Sequence, residues 1–254
     1  MMAGKVDPKQ YVAKGTGFHT LIGWILLLLG GLFLIAISWG IALIAWLVLL
    51  LIQHFMTKRS VAALRGSALR VDHEQMNWLY QATKEMADRL DMDHCPDVYI
   101  SESNVQNAAA FKQGSKKTIL LTDDIVYGMQ SRGNEKALLF IVAHELAHHA
   151  LGHTGYFRSN ISTIYKPLSR LDEFSCDAVA DALVEDLEAS KDAITVLLVG
   201  PQLFDRVNKD ALERQARSVG TDRYAKKAEK YMTHPLLLRR YQAIVDRHTG
   251  SSLK

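Results

Sequence analysis

Ala137-Leu138-Leu139-Phe140-Ile141-Val142-Ala143-His144-Glu145-Leu146-Ala147-His148-His149-Ala150-Leu151 decides how the rest of the chain is read. The run is apolar at helical spacing, and His144-Glu145-Leu146-Ala147-His148 inside it spells H-E-x-x-H. On an α-helix, residues i and i+4 share a face, so the imidazoles of His144 and His148 can close on one metal ion while Glu145 stands beside them. Two neutral imidazoles on Zn²⁺ leave room for water, whose pKa the metal lowers from 15.7 to roughly 7, and a neighbouring carboxylate can take the proton. This is the pattern of a zinc hydrolase, with one ion per chain. Three fixed residues also recur by accident, so the motif needs support from elsewhere in the sequence.

Asn134 is the expected N-cap of this helix, which runs to about Gly152. His149 is one position off the ligand face and is expected to pack or be solvated. His153 is expected in the last turn, where a cation suits the helix dipole. A third ligand must come from further along. The H-E-x-x-H-x-x-G-x-x-H pattern needs Gly at 151 and His at 154, where the chain has Leu151 and Thr154, so it fails at both positions. The next candidate helix begins near Ser169 and puts Glu173 and Asp177 on one face, with Arg170 a turn before and Asp181 a turn after. A solvated acidic stripe is the bland alternative. The neighbours Phe174, Ala178, Val179, Ala182 and Leu183 favour a packed helix instead, and a glutamate on a following helix is what the His₂Glu class of zinc protease supplies. Glu173 is therefore the best third-ligand candidate.

The 254 residues are 48% apolar and carry a net charge of +3. Between Lys14 and Lys58 there is no charged residue, and Leu21 to Ile52 is almost unbroken apolar sequence. A secretory signal has an apolar region of only about 7–15 residues, so a membrane segment is the stronger reading. About 20 apolar residues suffice for one helical crossing, and this stretch is twice that. Two crossings turning near Ser38-Trp39-Gly40 fit best, since a break at Gly30-Gly31 leaves one half too short to span. Lys5, Lys9 and Lys14 precede the run while Lys58, Arg59, Arg65 and Arg70 follow it, which puts both ends on the cytoplasmic side of a multi-pass cell-membrane protein. The positive charge is an orientation and lipid-bilayer signal, and no nucleic-acid partner is expected. Cys95 and Cys176 belong to no C-x-x-C pair, so free buried thiols are expected.

Between the membrane segment and the motif, Val61 to Val71 reads as a basic connector and Asp72 to Leu90 as a core-packing helix. Val98 to Ser101, Asn107 to Lys112 and Thr118 to Leu121 read as strands, the last two joined by Gly114-Ser115. The alanine-rich second strand is either one pressed against a helix or an edge that pairs with an extended peptide. Thr154 to Pro167 shows no clear periodicity. Ala193 to Phe204 is too short to span a membrane and reads as core. Charged helical sequence follows to about Lys230, and Thr233-His234-Pro235 introduces a last helix, Leu236 to Asp246.

Four ordered motifs together resemble peptidase family M48, which includes the membrane-anchored HtpX, Ste24 and Oma1 proteases: Asn107-Ala108 with Ala110, His144 to His148, Arg170-x-x-Glu173-x-x-x-Asp177, and Thr233-His234-Pro235 ending in Arg240. The resemblance implies an α+β, mainly helical, gluzincin-type domain with a small β-sheet, acting as a zinc metalloendopeptidase on protein or peptide substrates, membrane or misfolded proteins among them. By this resemblance His144, His148 and Glu173 hold zinc and Glu145 is the general base. Asp177 fixes the tautomer of a ligand histidine, and Asn107, Ala108, Ala109 and Ala110 face substrate. His234 and Arg240 match a C-terminal motif that helps stabilise the oxyanion. The chain departs from the family's pattern at Cys176, where alanine is frequent, and at Phe111, displaced from Asn-Ala-Phe-Ala. HtpX-like proteins also carry a second membrane hairpin, for which 154–169 is too short and too polar. The expected layout is a basic cytoplasmic N-terminus (1–16), a transmembrane hairpin (17–57), a juxtamembrane connector (58–71) and the peptidase domain (72–254). The alternative is a catalytically silent zinc-binding membrane adaptor. The sequence gives no oligomeric state.

Overall fold

A computed structural model describes residues 4–103 and 108–250 of the chain. A short 3-10 turn, Pro8–Tyr11, precedes two long helices, α1 (Thr16–Ile37) and α2 (Ile41–Ser67). Both are long and apolar enough to cross a membrane, and almost none of their apolar surface is covered by the rest of the chain. They join through Trp39 and Gly40, both at positive φ, 52° and 86°. Glycine adopts that conformation freely, whereas tryptophan rarely does. The break at Ser38–Gly40 is the one expected from the sequence, and α1 runs unbroken through Gly30-Gly31.

The segment 58–71 is helix and then strand. The helix α2 continues to Ser67, because Lys58 to Ser67 contains no proline and no turn cluster to stop it. Leu69–Val71 then forms β1, paired antiparallel with β2 (Asp97–Ser101) across the intervening α3 (Asn77–Arg89). The strands β3 (Ala108–Gln113) and β4 (Lys116–Thr122) complete a mixed sheet of order β1-β2-β4-β3, with β2 and β4 parallel and β3 antiparallel to β4 in the register Ala109↔Leu120. Gly114, at φ 60°, makes the tight turn between β3 and β4. The strand β3 is therefore an edge of the sheet. Asn107 lies outside the described residues.

The chain continues through α4 (Asp123–Gln130) and α5 (Glu135–Ala150). The Asn134 side chain accepts from the Ala137 backbone N–H and caps α5 as expected. Leu138, Phe140, Ile141, Val142, Ala143, Leu146 and Ala147 are all buried, so α5 is enclosed on every side, as a helix apolar all round must be. It packs on α7 (Lys166–Val184), α8 (Leu187–Val199), α3 and β3. The stretch without periodicity holds a helix, α6 (Tyr156–Ile164). Its Ser159, Asn160 and Thr163 side chains bond back to backbone carbonyls, which hides a helical signal in sequence. What holds α6 is packing on α7 and on α1, where Ile161 lies against Gly23 and Phe157 lies beside Trp24. After Gly200, at φ 82°, come α9 (Pro201–Phe204), α10 (Lys209–Thr221), α11 (Arg223–Ala228) and α12 (Leu237–Thr249).

The residues before α1 return to the same body. Val6 N–H donates to the Arg89 carbonyl at 2.8 Å and Ala13 N–H to Ser175 Oγ at 2.9 Å. Tyr11 lies under the Arg247 guanidinium at 5.2 Å. The chain before α1 and the chain after α2 thus meet on one face of the hairpin.

Candidate metal centre

The site forms where α5, α7 and α12 meet. His144 Nε2 and His148 Nε2 lie 3.2 Å apart. Glu173 of α7 brings Oε2 to 3.5 Å from His144 Nε2 and Oε1 to 3.5 Å from His148 Nε2. A tetrahedral metal bound at about 2.0–2.2 Å holds its ligand atoms about 3.3–3.6 Å apart. The two nitrogens stand close to that spacing and each has a Glu173 oxygen near it, so the three side chains form a group able to hold a metal ion. Glu145, the next residue of α5, is buried beside them.

Asp177, one turn after Glu173, accepts from His144 Nδ1 at 2.9 Å. Its carboxylate also takes Arg240 Nε at 2.7 Å and Nη2 at 2.6 Å, a two-pronged pair. Arg240 Nη1 reaches Glu173 Oε2 at 3.1 Å. Arg240 was expected beside a developing oxyanion. In the structure its guanidinium is buried and pairs with two carboxylates, and α12 turns it inward among α7 residues. His234, just before α12, keeps a largely exposed side chain and places Nδ1 at 3.1 Å from Glu173 Oε1. Arg170 Nη1 donates to the Glu229 carbonyl at 2.9 Å and the Met232 carbonyl at 3.2 Å, holding the segment that leads to His234. Asp181, the third carboxylate of the stripe, faces away and accepts from Ser190 Oγ at 2.9 Å, with His248 Nε2 also at 2.9 Å.

Burial and charge oppose one another throughout. Burial alone would raise the Glu173 carboxyl, but His144, His148, His234 and Arg240 hold it well below the usual carboxylate range. Burial works against a charged His144, yet the Asp177 and Glu173 contacts outweigh it and lift its pKa to about 10. Burial likewise opposes the Asp177 anion, and Arg240 overcomes it. His234 is raised, first by its Glu173 contact.

Of the two remaining histidines, His149 packs, one of the two outcomes expected for it, and His153 departs from expectation. His149 is buried, with Nε2 3.1 Å from the Thr118 carbonyl and Nδ1 3.0 Å from Thr154 Oγ1, so it ties α5 to β4. Burial pushes its pKa down to about 4. His153 is not a cation at a helix end. The helix stops at Ala150, and the turn folds His153 underneath, 3.3 Å from His148. Burial, with the neighbouring His148 and Arg158 charges, pushes it down to about 2. Its approach to His148 was not visible in sequence, because a spacing of five is off-face on a continuing helix.

Ala108, Ala109 and Ala110 lie on β3, which packs on α5 through one face and leaves its outer edge without a strand partner among the described residues. The strand is thus pressed against a helix and also lies at an edge of the sheet.

Residues 73–161 match the family model described as Peptidase family M48, and that match supports an M48 family metallopeptidase. It contains α3, the sheet strands β2 to β4, the metal-motif helix and part of α6; Glu173, Asp177, His234 and Arg240 lie beyond it. No curated protein and no solved structure matches the chain.

Proposed function

We propose that this M48 family chain is a membrane-anchored zinc metalloendopeptidase that hydrolyses peptide bonds of membrane or misfolded proteins. The observation that carries the reading is the cluster of His144, His148 and Glu173, with the two Nε2 atoms 3.2 Å apart and a Glu173 carboxylate oxygen 3.5 Å from each. Three protein ligands fit a catalytic rather than a structural zinc site, which normally closes with four. Zinc bound there supplies Lewis acidity, polarising the scissile carbonyl and making water nucleophilic at neutral pH.

The chain's own residues do the rest. Glu145 takes the proton of the attacking water and hands it to the leaving amine. Asp177 holds His144 with Nδ1 protonated and Nε2 turned to the metal, and Arg240 holds Asp177 and Glu173 in place. His234, on the exposed side of Glu173, is positioned to donate to the carbonyl oxygen as charge develops. The edge of β3 at Ala108 to Ala110 receives an extended peptide by backbone pairing. Their small side chains let a substrate strand lie close to α5.

The two apolar helices support the tether. At a rise of about 1.5 Å per residue they reach roughly 33 and 40 Å, enough for a hydrocarbon core of about 30 Å. Residues 17–57 form the anchor and 72–254 the peptidase body, with 58–71 joining them as helix and strand. Basic residues at both ends of the hairpin, and the return of residues 4–13 to the body, favour a cytoplasmic catalytic domain.

The test is Glu145→Gln in the full chain, purified in detergent and metal-checked. The variant is expected to keep one zinc and lose hydrolysis of casein or of an unfolded membrane protein. Retained hydrolysis would sink the mechanism, and wild type that holds zinc but cleaves nothing would favour a silent adaptor.

A further inference from the structure

A histidine that gives one ring nitrogen to a metal must place the hydrogen of the other, because the tautomer decides which nitrogen offers a lone pair. For His144 that partner is Asp177. Among the described residues His148 has no carboxylate in the same role. Its Nε2 faces His144 Nε2 and Glu173, so Nδ1 carries the hydrogen. That Nδ1 lies 3.3 Å from Nδ1 of His153. His153 can accept there only with its own hydrogen on Nε2, and that nitrogen lies 3.4 Å from Asp172 Oδ1. Asp172 in turn accepts from Arg158 Nη2 at 2.5 Å and Ser162 Oγ at 3.0 Å. His153 and Asp172 are 8% and 3% exposed, so solvent is in no position to replace either.

We infer that His153 is a positioning residue for His148: it accepts the Nδ1 hydrogen, backed by Asp172, and so keeps His148 Nε2 aimed at the metal. The direction of every hydrogen follows from the His148 end, and the series finishes at an anion, which makes the imidazoles better donors to whatever Nε2 holds. Its outer end lies on α6, the helix that packs against α1. The inference rests on the proposed zinc site.

Cys176 Sγ lies 3.5 Å from His153 Nδ1, and His148, His153 and Cys176 could themselves form a ligand cluster. The two arrangements differ in zinc stoichiometry.

The experiment uses the full chain in detergent, with zinc affinity measured by chelator competition and the site geometry by the visible absorption of the Co²⁺-loaded protein. His153→Phe keeps a ring and removes the acceptor. His153→Asn keeps an acceptor oxygen near the Nδ1 position. The Phe variant is expected to bind zinc about 10–100-fold more weakly with altered Co²⁺ bands, the Asn variant to stay near wild type, and Asp172→Asn to fall between them. Unchanged affinity in His153→Phe, or equal losses in the Phe and Asn variants, overturns the inference. A second zinc equivalent that disappears in His153→Phe also overturns it, making His153 a ligand. If the Phe variant does not fold, Asp172→Asn decides, and unchanged affinity there overturns the relay. Wild type that binds no zinc fails the peptidase reading itself, a result distinct from the others.

Discussion

Replacing Asp177 by Asn should damage the protein in two separable ways. The carboxylate is buried, accepts from His144 at 2.9 Å and pairs with Arg240 at 2.6 and 2.7 Å. Removing one partner of a buried ion pair costs about 3–5 kcal/mol, because the other charge is left desolvated. Arg240 keeps Glu173 at 3.1 Å, so the lower end applies, about 3 kcal/mol. For a chain of this size 1 kcal/mol moves the melting temperature by about 2–4 °C, so the metal-free variant should melt about 6–12 °C below metal-free wild type. The second effect needs metal. Loss of the anionic charge on the group that orients His144 should weaken zinc by about 10–100-fold, which removes about 1.4–2.7 kcal/mol of ligand stabilisation at saturating zinc. The gap between variant and wild type should therefore widen when zinc is added. Melting of both proteins in detergent, with chelator and with excess zinc, reads both terms. A metal-free gap under about 2 °C would refute the ion-pair argument. A gap that zinc leaves unchanged would refute the coupling of Asp177 to the ligand.

Two further perturbations follow from packing and burial. A Cβ added at Gly23 of α1 would meet Ile161 Cγ2 at 2.4 Å, so Gly23→Ala should cost about 1–3 kcal/mol of overpacking between α1 and α6. Ile161→Ala should cost less in the Gly23→Ala background than in wild type, and equal costs in the two backgrounds would show that the contact is absent. Burial, then the charges of Asp88 and Asp97, pushes the Cys95 thiol up to about 11. Since the folded state favours the neutral thiol, alkylation of native Cys95 by iodoacetamide should climb about tenfold per pH unit from 7 to 10 without levelling. A plateau near pH 9 in the native protein, with the label mapped to Cys95, would contradict this.

Some of this protein follows from local sequence alone. A helix fixes the relation of residues four apart, so His144 with His148, and Glu173 with Asp177, were paired on common faces before any fold was known. Charge-free length gave the two long helices, and glycine with its neighbours gave their turn. Asn134 was readable as a cap because capping is a contact over three residues.

What the sequence left open depends on residues distant along the chain or on where an element stops. Arg240 is 63 residues from Asp177, and only the packing of α12 on α7 turned its guanidinium inward. The strand β1 exists because β2 is there to pair with it. The helix α6 has weak local signals and is held by its contacts with α7 and α1. His153 illustrates the division most clearly. Its spacing from His148 is unfavourable while the helix continues, and the contact becomes possible because α5 ends at Ala150 and the chain folds back. Periodicity reports which residues share a face within one element. Which elements meet, and which buried charges they bring together, is fixed by tertiary packing, where burial forces each polar group to find a partner.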